Sequence, residues 1–268
     1  MSAPADDEAA ARRWTIIGGR VALGVGMIVL WEHSAELFGI NPFWLSRPSL
    51  VLETAIEFHA QGDLWRHINA TVLETALGLL SGCVIGIALG IALGSVRILR
   101  DVFEPFLLVA NAFPKIAMAP LFLIWFGIGL ALKVAVAFSL VFIVMALSTY
   151  SGFRMVRPEL VNNARLMGAS GTQIFTKIVL PSIMPWLFAG FQVSITFALI
   201  GAVLGEFIAA QAGLGFMIDD GMASFESSIV FLGLVLLLII VWLINMTMEW
   251  LARRLGMEQS SATAAYNT

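Results

Sequence analysis

Six long apolar stretches constrain the fold of this chain more than any other feature of its sequence. A helix needs about 20 mostly apolar residues to cross the hydrocarbon core of a bilayer. Stretches of about that length occur at 14–31, 75–96, 105–126, 134–153, 178–210 and 227–248. Charged residues make up only 12% of the 268 residues, about half the share found in soluble domains. The sequence therefore predicts an all-α polytopic membrane bundle of six transmembrane helices.

These stretches are expected to form one membrane domain. It covers residues 14–255, with an N-terminal tail at 1–13 and a flexible C-terminal tail at 256–268. Residues 35–68 make the longest segment outside the membrane, and its apolar pattern predicts a short surface helix. The stretch after Arg12-Arg13 is interpreted as an uncleaved first span, because no small-residue cleavage site follows Trp31.

The distribution of lysine and arginine predicts the orientation. If the N-terminus is cytoplasmic, 10 of the 15 lysines and arginines lie in cytoplasmic segments, 3 lie outside and 2 lie within spans. Cytoplasmic loops of membrane proteins carry such an excess. We therefore expect both termini and the polar segment 159–181 to be cytoplasmic. The outer set is Arg47, Arg66 and Lys133.

Several classes of function find no support in the sequence. The single cysteine, Cys83, cannot form an internal disulfide, and the three histidines are scattered rather than spaced as metal ligands. No G-x-x-x-x-G-K-[ST] loop is present, so we expect no ATP binding of that kind by this chain alone. The net charge of −3 is too small to indicate nucleic-acid binding.

Five glycines recur at every fourth position of the second stretch. Without side chains, glycines on one helix face let a neighbouring helix approach backbone to backbone. The spacing predicts a packing face whose partner lies either in the same subunit or in a second copy. The residues are Gly78, Gly82, Gly86, Gly90 and Gly94.

Three charged residues fall within predicted spans, where a charge facing lipid is costly. Arg20 can extend its guanidinium group to the near interface, which leaves Lys115 and Glu206 to be explained. Lys115 lies between Pro114 and Pro120, which bracket a segment expected to be kinked or unwound. Lys115 faces a substrate path, where it would attract an anion, or pairs with a carboxylate such as Glu206, or lies at a helix break near the interface. For Glu206 itself, structural pairing is favoured. The candidates for a path are Lys115, Asn111, Glu206 and Gln192.

The polar segment 159–181 has the pattern of two helices joined by a turn. Gly168 is expected to end the first helix and Ser170 or Thr172 to cap the second. Pro181 is expected in the first turn of the fifth span. Such a unit, joined rigidly to a span, could transmit a push from a partner. The apolar residues that predict an amphipathic first helix are Leu160, Val161, Ala164 and Met167.

This segment resembles the cytoplasmic EAA motif of ABC-importer permeases, in which E-A-A-x-x-x-G is followed after nine residues by I-x-L-P. The matching residues are Asn162-Asn163-Ala164, Gly168 and Ile178-Val179-Leu180-Pro181. Asparagines replace the glutamate and the first alanine, which removes a negative charge. Further similarity to the nitrate/sulfonate/taurine branch lies in Arg165, Gly168-Ala169-Ser170, Pro120-Leu121, Trp125-Phe126-Gly127-Ile128-Gly129 and Gly213-Leu214-Gly215.

The resemblance implies a type I importer permease of the bacterial inner membrane. Two copies, expected as a homodimer, would form the path, and a cytoplasmic ABC ATPase would dock on each loop. An extracytoplasmic binding protein would deliver the substrate. ATP and Mg²⁺ would bind to the ATPase, so no cofactor and no catalytic residue are expected here. By the motif, the docking residues are Asn162, Asn163, Ala164, Arg165, Met167, Gly168, Ala169 and Ser170, closed by Ile178, Leu180 and Pro181.

The resemblance leaves the substrate open between two chemical classes. The branch handles nitrate, bicarbonate, taurine and other sulfonates, and it also contains permeases for thiamine-precursor pyrimidines and flavins. Lys115 favours an anion, whereas Thr71-x-x-Glu74, where sulfonate-type relatives often carry a basic residue, favours a neutral heterocycle. A stand-alone secondary transporter or channel is the alternative class, but six spans without a detectable inverted repeat disfavour it.

Overall fold

A computed structural model of the protein describes residues 4–39 and 44–254, and all regular structure in these ranges is helical. The predicted tail at 256–268 lies outside them. The helices are α1 (Pro4–Glu32), α2 (Ser34–Phe38), α3 (Pro48–Gln61), α4 (Asp63–Ser95), α5 (Arg97–Ala112), a 3₁₀ turn (Lys115–Met118), α6 (Ala119–Phe126), α7 (Leu130–Arg154), α8 (Pro158–Leu166), α9 (Gly171–Ile174), a π-helical turn (Phe175–Val179), α10 (Leu180–Ala209), α11 (Leu214–Ala223) and α12 (Ser227–Arg254).

Four helical segments in the described residues are long and apolar enough to cross a membrane. They are Asp63–Ser95, Leu130–Arg154, Gly171–Ala209 and Ser227–Met248, and a bent pair of helices would make a fifth span. The first predicted span, 14–31, lies within the continuous helix α1, which already begins at Pro4 inside the predicted tail.

The segment predicted as the third span, 105–126, is two helices rather than one. Arg97–Ala112 and Lys115–Phe126 meet at an angle of 86°. Proline disfavours the helical conformation in the residue before it, and Phe113, which precedes Pro114, is extended with ψ 133°. The expected interruption around Lys115 is therefore confirmed, and it bends the segment sharply.

The segment predicted as the fifth span belongs to a longer helix than expected. Pro181 lies in the first turn of α10, but helix continues without a break from Gly171 to Ala209. The π-helical turn Phe175–Val179 comes directly before α10. Because the ring of a proline collides with the carbonyl four residues earlier in an ordinary α-helix, a wider turn at this point accommodates Pro181.

The described residues divide into two compact units. The first contains the residues up to Leu64 together with Ile218–Leu234. In it the Trp31 indole N–H donates to the Ser46 carbonyl at 2.6 Å. The Ser49 hydroxyl donates to the Glu32 carboxylate at 2.7 Å. These bonds join the end of α1 to the start of α3, the helix predicted within residues 35–68.

The second unit contains Trp65–Met217 together with the residues from Val235 onward, and α7 lies at its centre between α4 and α10. A Cβ atom on Gly82 of α4 would stand 2.6 Å from the Cβ of Val141. One on Gly201 of α10 would stand 2.5 Å from the Cα of Ala137. Side chains at either glycine would force the helices apart. All five glycines of the stripe in α4 meet α7, so the partner of this face is a helix of the same chain.

Candidate functional site

The loop between α7 and α10 is built on a glycine turn. Gly168, two residues after the end of α8, has φ +80°, a conformation that only glycine adopts without strain. The Ala169 N–H donates to the Ala164 carbonyl at 2.9 Å, and the Gly168 N–H donates to the Arg165 carbonyl at 3.0 Å. These are the two hydrogen bonds of a Schellman cap. The predicted end of the first loop helix at Gly168 is confirmed.

Ser170 begins the second helix of the loop with a capping box. Its Oγ accepts from the Gln173 N–H at 3.3 Å, and the Gln173 Oε1 accepts from the Ser170 N–H at 2.8 Å. Two backbone donors that a helix start leaves unpaired are thus satisfied. Since helix then runs to Ala209, this turn lies at one end of a long helical rod.

The inner face of α8 is attached to that rod by apolar packing. Ile174, Val179 and Ile183 form a buried cluster, and the partly buried Val161 and Ala164 of α8 pack against it. Removing aliphatic side chains from water stabilises such an attachment by about 0.8 kcal/mol for each buried CH₂ group. The first loop helix therefore moves with α10 rather than independently of it.

The outer side of the same loop presents apolar side chains to solvent. Leu166 and Met167 are 87% and 88% exposed, and Leu160 is 49% exposed. The sequence pattern placed Leu160 and Met167 on one face with Val161 and Ala164, which is wrong, because only the latter two pack inward. The helix ends at Leu166, so Met167 no longer follows its periodicity. The result is an exposed apolar tip, Leu166–Met167, on a firmly held turn.

The structure separates the residues predicted to dock a partner into two groups. Ala164 and Ala169 are half-buried and pack against the cluster beneath α8. The exposed group consists of Asn162, Asn163, Arg165, Met167, Gly168 and Ser170. Of the residues that close the motif, Ile178 and Leu180 are half-buried and Pro181 is exposed.

The residues predicted to line a path do not converge on one point. The Lys115 ammonium lies at the 86° bend and donates to the Asn111 carbonyl at 3.1 Å. It forms no ion pair with Glu206, which was one alternative that the sequence left open. Another alternative, a lysine at a helix break, agrees with its place at the bend. Gln192 and Glu206 both lie in α10, 14 residues and hence about 21 Å apart along the helix axis.

Glu206 is held in a buried network that ties a turn to α4. It is only 1% exposed. One carboxylate oxygen accepts from the Thr71 hydroxyl at 2.6 Å, and the other accepts from the Gly215 N–H at 2.6 Å. The Thr71 oxygen also accepts from the Leu214 N–H at 2.8 Å. The geometry gives Glu206 the pairing role that the sequence favoured, with backbone and hydroxyl donors as its partners.

A buried ion pair next to this network was not anticipated. Lys133, counted with the outer charges, is 6% exposed and donates to the Glu74 carboxylate at 2.5 Å. It also donates to the Ala212 carbonyl at 3.3 Å. His67, counted as scattered, accepts from the Gly213 N–H at 3.1 Å. The spacing of the α4 residues could have predicted that they are buried, because positions 67, 71 and 74 continue the glycine face of α4 toward its start.

Comparison with known proteins places the chain in a family. Residues 82–257 match the family described as "Binding-protein-dependent transport system inner membrane component", and the chain belongs to this family. It is a membrane-embedded subunit of an ABC importer, and its relatives are permease subunits rather than enzymes. The resemblance to ABC-importer permeases seen in the sequence is confirmed.

Two similar relatives transport different compounds. The riboflavin transport system permease protein RibX of Chloroflexus aurantiacus is 34% identical over 85% of this chain and 84% of its own length. The taurine transport system permease protein TauC of Escherichia coli is 30% identical over 91% of each chain.

A solved structure shares the fold. The MetNI methionine ABC transporter in inward facing conformations matches with a TM-score of 0.62 at 23% identity. The match covers 71% of this chain and 95% of that chain. The predicted fold class, an all-α membrane bundle with the importer-permease fold, is confirmed, while the count of six spans stays a prediction.

Proposed function

We propose that two copies of this chain form the translocation path of an ATP-driven importer, and that the loop 159–181 couples the path to a separate cytoplasmic ATPase. The observation that carries the proposal is the exposed apolar tip Leu166–Met167 on a turn fixed to α10. Large apolar side chains that protrude from a water-facing loop mark a contact with another protein. A second copy related by two-fold symmetry would present the same tip to a second ATPase.

In this proposal the loop acts as a lever. Closure of the two ATPases on ATP brings the two tips together, and the rigid connection from Ser170 to α10 converts that movement into a tilt of the spans. The central cavity then changes from inward-facing to outward-facing. ATP binding drives the change only because the ATPases hold the tips differently in their open and closed states. ATP and Mg²⁺ bind to the partner, and this chain supplies the coupling.

The proposed orientation puts both termini and the loop in the cytoplasm of a bacterial cell. The opposite end, with the His67–Gly213 contact and the buried ion pair, then faces outward. A binding protein would deliver the substrate there. The hydrogen bonds that hold the turn at 213–215 to α4 and α10 give that end a defined shape for the delivery step.

For the substrate we propose a small anion or organic anion, such as nitrate, bicarbonate, taurine or another sulfonate. Lys115 is half-buried at the break between α5 and α6. Among the described residues it makes one hydrogen bond, to Asn111, which leaves two of its three N–H donors for other partners. Broken helices at membrane depth are typical of residues that line a cavity. An ammonium group in that position would attract an anion.

A flavin or a thiamine-precursor pyrimidine is the second candidate substrate. The similarity to the riboflavin permease RibX favours it, since that protein is more identical to this chain than the taurine permease is. Thr71 and Glu74, which favoured a neutral heterocycle in the sequence, are engaged by Glu206 and Lys133. They therefore support neither substrate class.

The coupling role is tested by recovery of an ATPase with the tagged chain in mild detergent. We expect stoichiometric recovery of an ABC ATPase subunit, and loss of that subunit in a Met167→Glu variant. Met222→Glu is the matched control, because Met222 is also exposed but lies in α11. Failure of the unaltered chain to retain any ATPase would overturn the proposal.

The substrate is tested separately by mass spectrometry of the ligand retained by the partner binding protein. A sulfonate or inorganic anion supports the first candidate. A flavin or pyrimidine in the binding protein would replace it with the second.

A further inference from the structure

A groove of about 650 Å³ lies beside the loop helix α8. One wall is formed by Asn162 and Arg165 of α8. The other is formed by the end of α4 and the start of α5, where Arg97 and Arg100 line it. Its apolar lining includes Ile174, Phe175 and Val179. The groove thus joins the loop helix to a second element that the motif does not include.

The lining of this groove is positively charged, and none of the described residues that form it is acidic. Of its three arginines, Arg100 lies 3.4 Å from the adjacent Asp101, whose side chain is 64% exposed. Arg97 and Arg165 form no ion pair with any residue that the structure describes. Three guanidinium groups around an apolar surface create a positive potential that attracts a negatively charged group.

We propose that the groove receives an acidic side chain of the docked ATPase, with Arg97 and Arg165 as its ion-pair partners. The inference rests on the proposed function. Arg165 directly precedes the exposed tip Leu166–Met167, so a protein seated on the tip also covers the groove. Guanidinium groups bind carboxylates through paired hydrogen bonds.

The proposal also accounts for the departure at positions 162 and 163. In the EAA pattern the docking helix carries a glutamate, whereas Asn162 and Asn163 are uncharged here. Neutral amides beside Arg165 leave the guanidinium available to a partner. The permease therefore contributes the cation of the docking ion pair, and the ATPase contributes the anion.

Charge removal provides the first test. The double variant Arg97→Gln, Arg165→Gln should bind the purified ATPase roughly twofold to thirtyfold more weakly at low salt, as expected for two exposed ion pairs. Its affinity should also change less with ionic strength. The matched control is Lys177→Gln, which removes an exposed cation that does not line the groove. Equal affinities and equal salt dependence for the double variant and the unaltered chain would overturn the inference.

Cross-linking identifies the group in the groove. Arg165→Lys keeps the positive charge and places an amine that a carbodiimide can join to a nearby carboxylate. We expect mass spectrometry of the variant–ATPase complex to find Lys at 165 joined to an aspartate or glutamate of the ATPase. Cross-links confined to this chain's own carboxylates would contradict the assignment. So would binding that weakens in the Gln variant only when anionic phospholipid is present, because a lipid phosphate would then be the ligand.

The two proposals fail in different ways. If the unaltered chain retains no ATPase, the coupling role fails and this inference fails with it. If the ATPase binds and its affinity does not depend on Arg97 and Arg165, only the assignment of the groove is wrong.

Discussion

Gly168 offers the sharpest test of the coupling loop, because a glycine is needed there for its backbone conformation and not for lack of space. A Cβ built at Gly168 meets no atom within 4 Å, but the residue has φ +80°. An L-residue in the left-handed region costs roughly 1–2 kcal/mol. The two hydrogen bonds of the turn together contribute about 1–3 kcal/mol. Since these magnitudes are similar, the native turn should be lost in a large fraction of Gly168→Val molecules.

The consequence should appear in transport rather than in folding. We expect Gly168→Val to reach the membrane and unfold within a few degrees of the unaltered chain, but to lose most ATP-driven uptake in proteoliposomes. Gly168→Asn should lose much less, because asparagine tolerates this conformation. Gly171→Ala is the control, because Gly171 also has open space around it but lies in a helix without a positive φ. Normal uptake by Gly168→Val, or an equal loss in Gly171→Ala, would refute the reasoning.

Three further predictions concern the bundle. Lys133→Met leaves the buried Glu74 carboxylate uncompensated, and we expect about 3–5 kcal/mol of destabilisation, seen as a lower thermal midpoint in detergent. Adding Glu74→Gln should restore part of it, and no recovery would show that the pair is not the cause. Gly82→Ala should lower the free energy of unfolding by about 1–3 kcal/mol, because the added methyl group separates α4 and α7. Gly24→Ala is the control, because Gly24 has open space around it. Equal melting curves for the two variants would contradict this. Lys115→Gln should reduce uptake of an anionic substrate at unchanged membrane levels, and unchanged uptake would remove Lys115 from the path.

Features that depend on a few neighbouring residues could be predicted. The left-handed turn at Gly168 and the cap at Ser170 follow from the conformational freedom of glycine and the short side chain of serine. The break beside Pro114 follows from the missing backbone donor and the ring of proline. Even here only the position of the break was predicted, because the sequence did not predict the 86° angle between the two helices.

The division of the α8 surface shows where such reasoning stops. Leu160, Val161, Ala164 and Met167 have helical spacing, so periodicity alone assigns them to one face. Whether an apolar residue faces the bundle or the solvent depends on what stands beside it. Only Val161 and Ala164 lie over the cluster around Ile183, and that cluster comes from α9, the π-helical turn and α10.

The amino-acid sequence alone predicts a helical membrane bundle with a structured polar loop. The length of an apolar stretch and the residue types of a turn are properties of about 20 neighbouring residues or fewer. The hydrocarbon core of the bilayer requires such a length of every spanning helix. Which polar residues become partners depends on the tertiary structure. Lys133 and Glu74 are separated by 59 positions, Thr71 and Glu206 by 135, and His67 and Gly213 by 146. Those pairs exist because α4, α7 and α10 cross at glycines, and the crossing point is set by packing rather than by any local pattern.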